Sequence, residues 1–122
     1  MVPTKGLYHV HLMVADLDRS IRFYSEVFGM REIHRLAPAM VFLQTPGMQD
    51  VLAVEENPDF EESVGVVGGI AHLGFRLSPG ADLDPAVGEV VEAGGNFLSR
   101  GEHEGGYPFA FVSDPDGNVI EL

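Results

Sequence analysis

Alternation of apolar and polar positions opens the chain. Across residues 6–14, Tyr8, Val10, Leu12 and Val14 fall on one apolar face, while His9 and His11 fall on the other with Leu7 and Met13. A period of two predicts a half-buried strand. The period then changes. Leu17, Ile21, Tyr24 and Phe28 recur at helical spacing behind Asp16-Leu17-Asp18, whose carboxylates suit a helix N-terminus, and Gly29 suits its end. Strand-like runs follow at 30–36, 40–45 and 51–55.

The plan then repeats. Ala71, Leu73, Phe75 and Leu77 share one face of a second strand-like run and His72 takes the other. Asp84-Pro85 predicts a helix start, Val87, Val90 and Val91 give its apolar stripe, and Gly94-Gly95 its end. Strand-like runs follow at 96–100, 107–113 and 118–122, the last two joined by the turn Asp114-Pro115-Asp116-Gly117. The expected fold is α+β: two β-α-β-β-β modules at about 6–56 and 69–122, with an acidic linker at 57–68, forming a curved mixed sheet around a cavity. His9 and His72 stand at matching places in the two halves. Glu121 lies on the last strand, opposite in direction to Ile120 and Leu122. Convergence of the non-helix faces would bring two imidazoles and a carboxylate together, the donor set of an open divalent-metal site.

Composition narrows this picture. A hydrophobic fraction of 45% in 122 residues suits one globular domain, and the absence of cysteine leaves neither a disulfide framework nor a thiolate site. The net charge of −12 repels phosphate backbones, so nucleic-acid binding is not expected. No apolar run approaches a spanning helix, and the N-terminal residues carry no signal-peptide pattern. A cytoplasmic protein without membrane partners is the expectation.

Three blocks carry a family resemblance: residues 9–20 (His9-Val10-His11-Leu12-Met13-Val14-Ala15-Asp16-Leu17-Asp18-Arg19-Ser20) with Phe23-Tyr24 and Phe28-Gly29, residues 69–75, and residues 111–122, which end Asp114-Pro115-Asp116-Gly117-Asn118-Val119-Ile120-Glu121-Leu122. Over nearly its whole length the chain resembles the vicinal oxygen chelate superfamily of glyoxalase I, fosfomycin- and bleomycin-resistance proteins and extradiol dioxygenases. The family pattern places a metal-binding histidine seven residues before the Asp-Leu pair, an offset that His9 meets and His11 does not. The resemblance implies His9, His72 and Glu121 as ligands of a divalent metal, Fe(II) first, with Mn(II), Ni(II), Co(II) or Zn(II) also compatible. A fourth carboxylate or glutamine, present in glyoxalase I, aligns here with apolar residues of 51–54, and Glu55 comes slightly late. That departure favours members with three ligands.

By the same resemblance, His103 is a candidate acid/base before the Asp-Pro turn; Tyr107, beyond the glycines that follow it, is a second candidate catalytic residue. His11, Phe42, Arg76, Phe109 and Phe111 are candidate substrate contacts. The implied function is metal-dependent chemistry on a small substrate chelating through two adjacent oxygens, most nearly that of an extradiol-dioxygenase-like oxidoreductase. A glyoxalase-like lyase or isomerase and a fosfomycin-type transferase are the alternatives within that class. A metal-free binder like the bleomycin-resistance proteins is the alternative outside it. A homodimer is expected, with the site formed in one chain or across two.

Overall fold

The computed structural model describes residues 1, 8–65, 70, 72–103 and 105–122. The first residues of the opening strand run, the end of the linker and Ala71 in the second run lie outside these.

Two four-stranded mixed sheets form, each with one helix in its crossover. The first contains β1 (Val10–Met13), α1 (Leu17–Phe28), β2 (Arg31–Leu36), β3 (Met40–Gln44) and β4 (Leu52–Glu55), in strand order β1-β4-β3-β2. The second contains β5 (Leu73–Gly74), α2 (Leu83–Glu92), β6 (Asn96–His103), β7 (Tyr107–Ser113) and β8 (Val119–Glu121), in order β5-β8-β7-β6. In both, the first strand pairs parallel with the fourth and the other pairings are antiparallel. The doubled β-α-β-β-β architecture expected from the sequence is therefore present. A 3-10 segment, Pro58–Ser63, occupies part of the stretch read as linker.

Helix α1 begins where its sequence requires. The Asp16 side chain accepts from the Arg19 amide at 2.8 Å, and Gly29 closes the helix at φ 66°, a left-handed conformation that glycine adopts without a Cβ clash. Its apolar face carries Leu17, Phe23 and Tyr24, all buried. Each such side chain contributes roughly 1.5–3 kcal/mol on burial. Helix α2 departs from expectation: Asp82, not Asp84, is the N-cap, and no side-chain bond caps it. Asp84 instead pairs with Arg100 of β6. Pro85 remains in the first turn, where an amide hydrogen is not needed. Tyr8, assigned to the apolar face of the first strand, precedes β1 and is exposed.

The core sits between helices and sheets and is shared by both halves. Leu12, Val41, Leu43 and Val54 of the first sheet and Val112 and Ile120 of the second belong to one buried cluster, and Phe28 stacks on Phe75 with ring centroids 3.9 Å apart. A polar clasp joins the halves as well. Asp116 accepts from Arg19 (2.7 Å), the Ser20 hydroxyl (3.2 Å) and the Ala15 amide (3.2 Å), while the Tyr24 hydroxyl donates to Asp114 at 2.9 Å. The Asp114–Gly117 turn, which the sequence marks only as a connection, thus ties β8 to α1.

Candidate functional site

Strand alternation leaves each sheet with a non-helix face. On the second sheet, Val112 and Ile120 pair within the core, so their neighbours Phe111 and Glu121, themselves paired, turn the other way. His72, just before β5, reaches that face: its ring lies 5.3 Å from Phe111, and its Nε2 lies 3.0 Å from Glu121 Oε2. His103 also arrives there. Its Nε2 is 2.6 Å from the other carboxylate oxygen, Oε1. An imidazole nitrogen thus lies beside each carboxylate oxygen, and of the two only the His103 contact has hydrogen-bond geometry. Phe109 packs on His103 at 4.4 Å and on Phe111 at 5.3 Å, continuing the apolar wall.

The strand expected at 96–100 stops short of His103, which is instead the last residue of β6, opposite Tyr107 of β7. Gly101 leaves room for the Phe109 ring, since a Cβ there would lie 2.8 Å from Phe109 Cζ. Tyr107 is exposed, and among the described residues its hydroxyl enters no hydrogen bond. Arg76 is also exposed, and no ion pair among the described residues uses it.

On the first sheet, His9 lies 6.4 Å from Phe42, as His72 lies beside Phe111. Phe42 pairs with Ala53, whereas Phe111 pairs with Glu121. By this correspondence Ala53 holds the place that Glu121 holds in the second sheet. Glu55 is two residues further along the same face, where its Oε2 meets His11 Nε2 at 3.1 Å and its Oε1 accepts from Asn57 at 3.2 Å. This second histidine–carboxylate pair was not foreseen. Its sequence signal is the shared face of His11 and Glu55, which only the β1–β4 register reveals. His11 and His72 line a common cavity of about 110 Å³ with Met13, Leu73, Asn118 and Val119. At about 30 Å³ each, a few water molecules would fill it. No hydrogen bond or ion pair among the described residues joins His9 to His72 or Glu121.

The His72–Glu121 separation suits two neighbouring ligands of one ion. Donors about 2.1 Å from a metal and at right angles to each other lie roughly 3.0 Å apart. Nitrogen and carboxylate oxygen are also the donors that intermediate divalent metals accept. Among the described residues, no three His, Cys, Asp or Glu side chains are grouped to enclose an ion, so the pair needs a further donor.

Comparison with known proteins gives the class. Residues 6–122 match the Glyoxalase/Bleomycin resistance protein/Dioxygenase superfamily, and the chain belongs to it. It is similar to "Lactoylglutathione lyase GLX1" of Arabidopsis thaliana, 34% identical over 93% of this chain and 42% of that protein. It is also similar to "Catechol-2,3-dioxygenase" of Bacillus subtilis, 30% identical over 93% of this chain and 39% of that protein. The chain therefore spans about two fifths of the length of these relatives. Among solved structures, a glyoxalase-related enzyme from Fulvimarina pelagi superimposes with a TM-score of 0.76 at 29% identity, covering 97% of this chain and 86% of that one.

Proposed function

We propose that this chain is a metal-dependent enzyme of the superfamily, acting on a small substrate that presents two adjacent oxygens. The observation that carries the reading is the Glu121 carboxylate beside His72, on a face walled by Phe109 and Phe111. His72 and Glu121 would hold a divalent ion, Fe(II) first, and His9 would complete a set of two imidazoles and one carboxylate. When bound, such an ion supplies Lewis acidity, polarising chelated oxygens and stabilising developing negative charge. The protein's own part is to fix the carboxylate, keep an apolar wall against an aromatic or alkyl substrate body, and leave the opposite side open.

Ala53 at the place matching Glu121 favours a three-ligand site over the four-ligand pattern of glyoxalase I. That preference, with the similarity to the Bacillus protein, favours extradiol-type cleavage of a catechol by dioxygen. The similarity to the Arabidopsis protein supports a lyase as the second reading.

His9 lies just before β1 in the other half, and no hydrogen bond or ion pair among the described residues joins it to His72 or Glu121; we propose that a second copy of the chain supplies it, giving a homodimer with composite sites. Elemental analysis of protein purified without chelator tests the metal. About one Fe, Mn, Ni, Co or Zn per chain is expected, and His72→Ala and Glu121→Ala should each remove it. Metal-free protein whose melting temperature is unmoved by any of these ions would leave a binding module in its place. Anaerobic Fe(II) loading followed by a catechol panel separates the subclasses, since a dioxygenase must yield a ring-opened product.

A further inference from the structure

We infer that His103 is a positioning residue for Glu121. It holds one carboxylate oxygen so that the other, beside His72, stays turned toward the ion. The inference rests on the metal-site reading above and assigns His103 a role other than the acid/base one.

The two oxygens of Glu121 have different neighbours: Oε1 lies 2.6 Å from His103 Nε2 with hydrogen-bond geometry, and Oε2 lies 3.0 Å from His72 Nε2 without it. A carboxylate oxygen can only accept, so at 2.6 Å His103 must present Nε2–H. A nitrogen carrying that hydrogen has no lone pair for a metal. Glutamate has three rotatable side-chain bonds, and a free carboxylate swings between one-oxygen and two-oxygen ligation. Fixing Oε1 removes that freedom before an ion arrives.

His103 is itself held. It ends β6, its carbonyl accepts from the Gly106 amide at 3.0 Å, and its ring rests on Phe109, which rests on Phe111 beneath Glu121. The wall thus sets the imidazole, and the imidazole sets the carboxylate. A side chain 55% exposed has little reason to be braced in this way for stability alone. Partners that orient a ligating carboxylate typically change metal affinity by about 10–100-fold when removed.

The experiment is Co(II) titration of the full chain, read by visible absorption and by metal content at saturation. His103→Leu removes the donor at similar bulk, His103→Gln restores an N–H of similar reach, and His72→Ala is the ligand-loss control. His103→Leu should bind one Co(II) per chain about 10–100-fold more weakly than wild type, with an unchanged apo melting temperature. His103→Gln should recover most of that loss. Wild-type affinity in His103→Leu overturns the inference, as does His103→Gln binding no better than His103→Leu. Complete loss of Co(II) in His103→Leu, as in His72→Ala, would make His103 a ligand and overturn it too. If the wild type binds no Co(II), Mn(II), Fe(II), Ni(II) or Zn(II), the metal-site reading falls first and takes this inference with it.

Discussion

Tyr24 and Asp114 join the two halves of the chain through one buried hydrogen bond, and the energetics of that pair follow from their surroundings. Burial, reinforced by the Asp114 carboxylate, pushes the Tyr24 hydroxyl well above its ordinary range. Burial also raises Asp114, opposed by the donors that meet it from Asn118 and Tyr24. In the folded state Tyr24 keeps its proton where the unfolded chain, with a tyrosine near pH ~10, releases it. The unfolded state then binds fewer protons, so stability falls as pH rises above that value. Tyr24→Phe should lose about 1–3 kcal/mol at neutral pH, because an oxygen of Asp114 loses a donor. It should also lose the part of the alkaline decline due to this group. Denaturant unfolding of both proteins at pH 7 and pH 10.5 checks this, and parallel slopes across that interval would count against it. The sequence marks Tyr24 as a helix-face residue and Asp114 as a turn residue; nothing local to either announces a bond across 90 positions.

At the scale of elements, legibility followed how far each segment's conformation was set by its own residues. Helix α1 was readable because Asp16, its apolar stripe and Gly29 all act within one segment. Strand β6 was not. The residues Gly101-Glu102-His103 have little strand preference, and pairing with Tyr107–Phe109 of β7 is what extends them. That unreadable extension is what carries His103 to Glu121. The face of Glu121 was legible because the alternation of β8 fixes it, and His72, just before β5, continues the alternation of that strand. The shift of the α2 cap to Asp82 has a similar cause, since Asp84 is drawn to Arg100 on a different element. Gly95, between α2 and β6, shows a constraint hidden in a residue that sequence alone reads as a helix stop. A Cβ there would lie 2.3 Å from the Ser113 carbonyl oxygen, 2.6 Å from Val90 Cγ1 and 3.0 Å from the Val90 carbonyl oxygen. Two of these neighbours are backbone and cannot rotate away. Gly95→Ala should therefore destabilise by about 1–3 kcal/mol or more. Gly29→Ala, which meets no atom within 4 Å but must hold a positive φ, should cost about 1–2 kcal/mol. Chemical denaturation of both variants checks the order, and Gly29→Ala proving the more damaging would contradict it.

For the whole molecule, the shared core and the Asp116 clasp hold the two halves against one another through their helix sides. The chemistry-bearing faces are left with exposed residues such as Leu36 on one sheet and Tyr107 on the other. His9 sits on one of these faces and the His72–Glu121 pair on the other, and no hydrogen bond or ion pair among the described residues joins them. The proposed dimer resolves this by letting His9 of each copy meet His72 and Glu121 of its partner. The consequence is a specific complementation pattern. His9→Ala protein alone lacks the first imidazole at both sites, and His72→Ala protein alone lacks the second at both. In a mixed dimer, one site inherits both defects and the other inherits neither. Unfolding the two variants together and refolding them should therefore restore metal binding to one site per mixed dimer, with wild-type affinity, though neither parent binds. If the site instead formed within one chain, every chain in the mixture would still carry a defect and no tight site would return. Metal content of the separated mixed dimer, purified through two different affinity tags and then freed of them, decides between these outcomes.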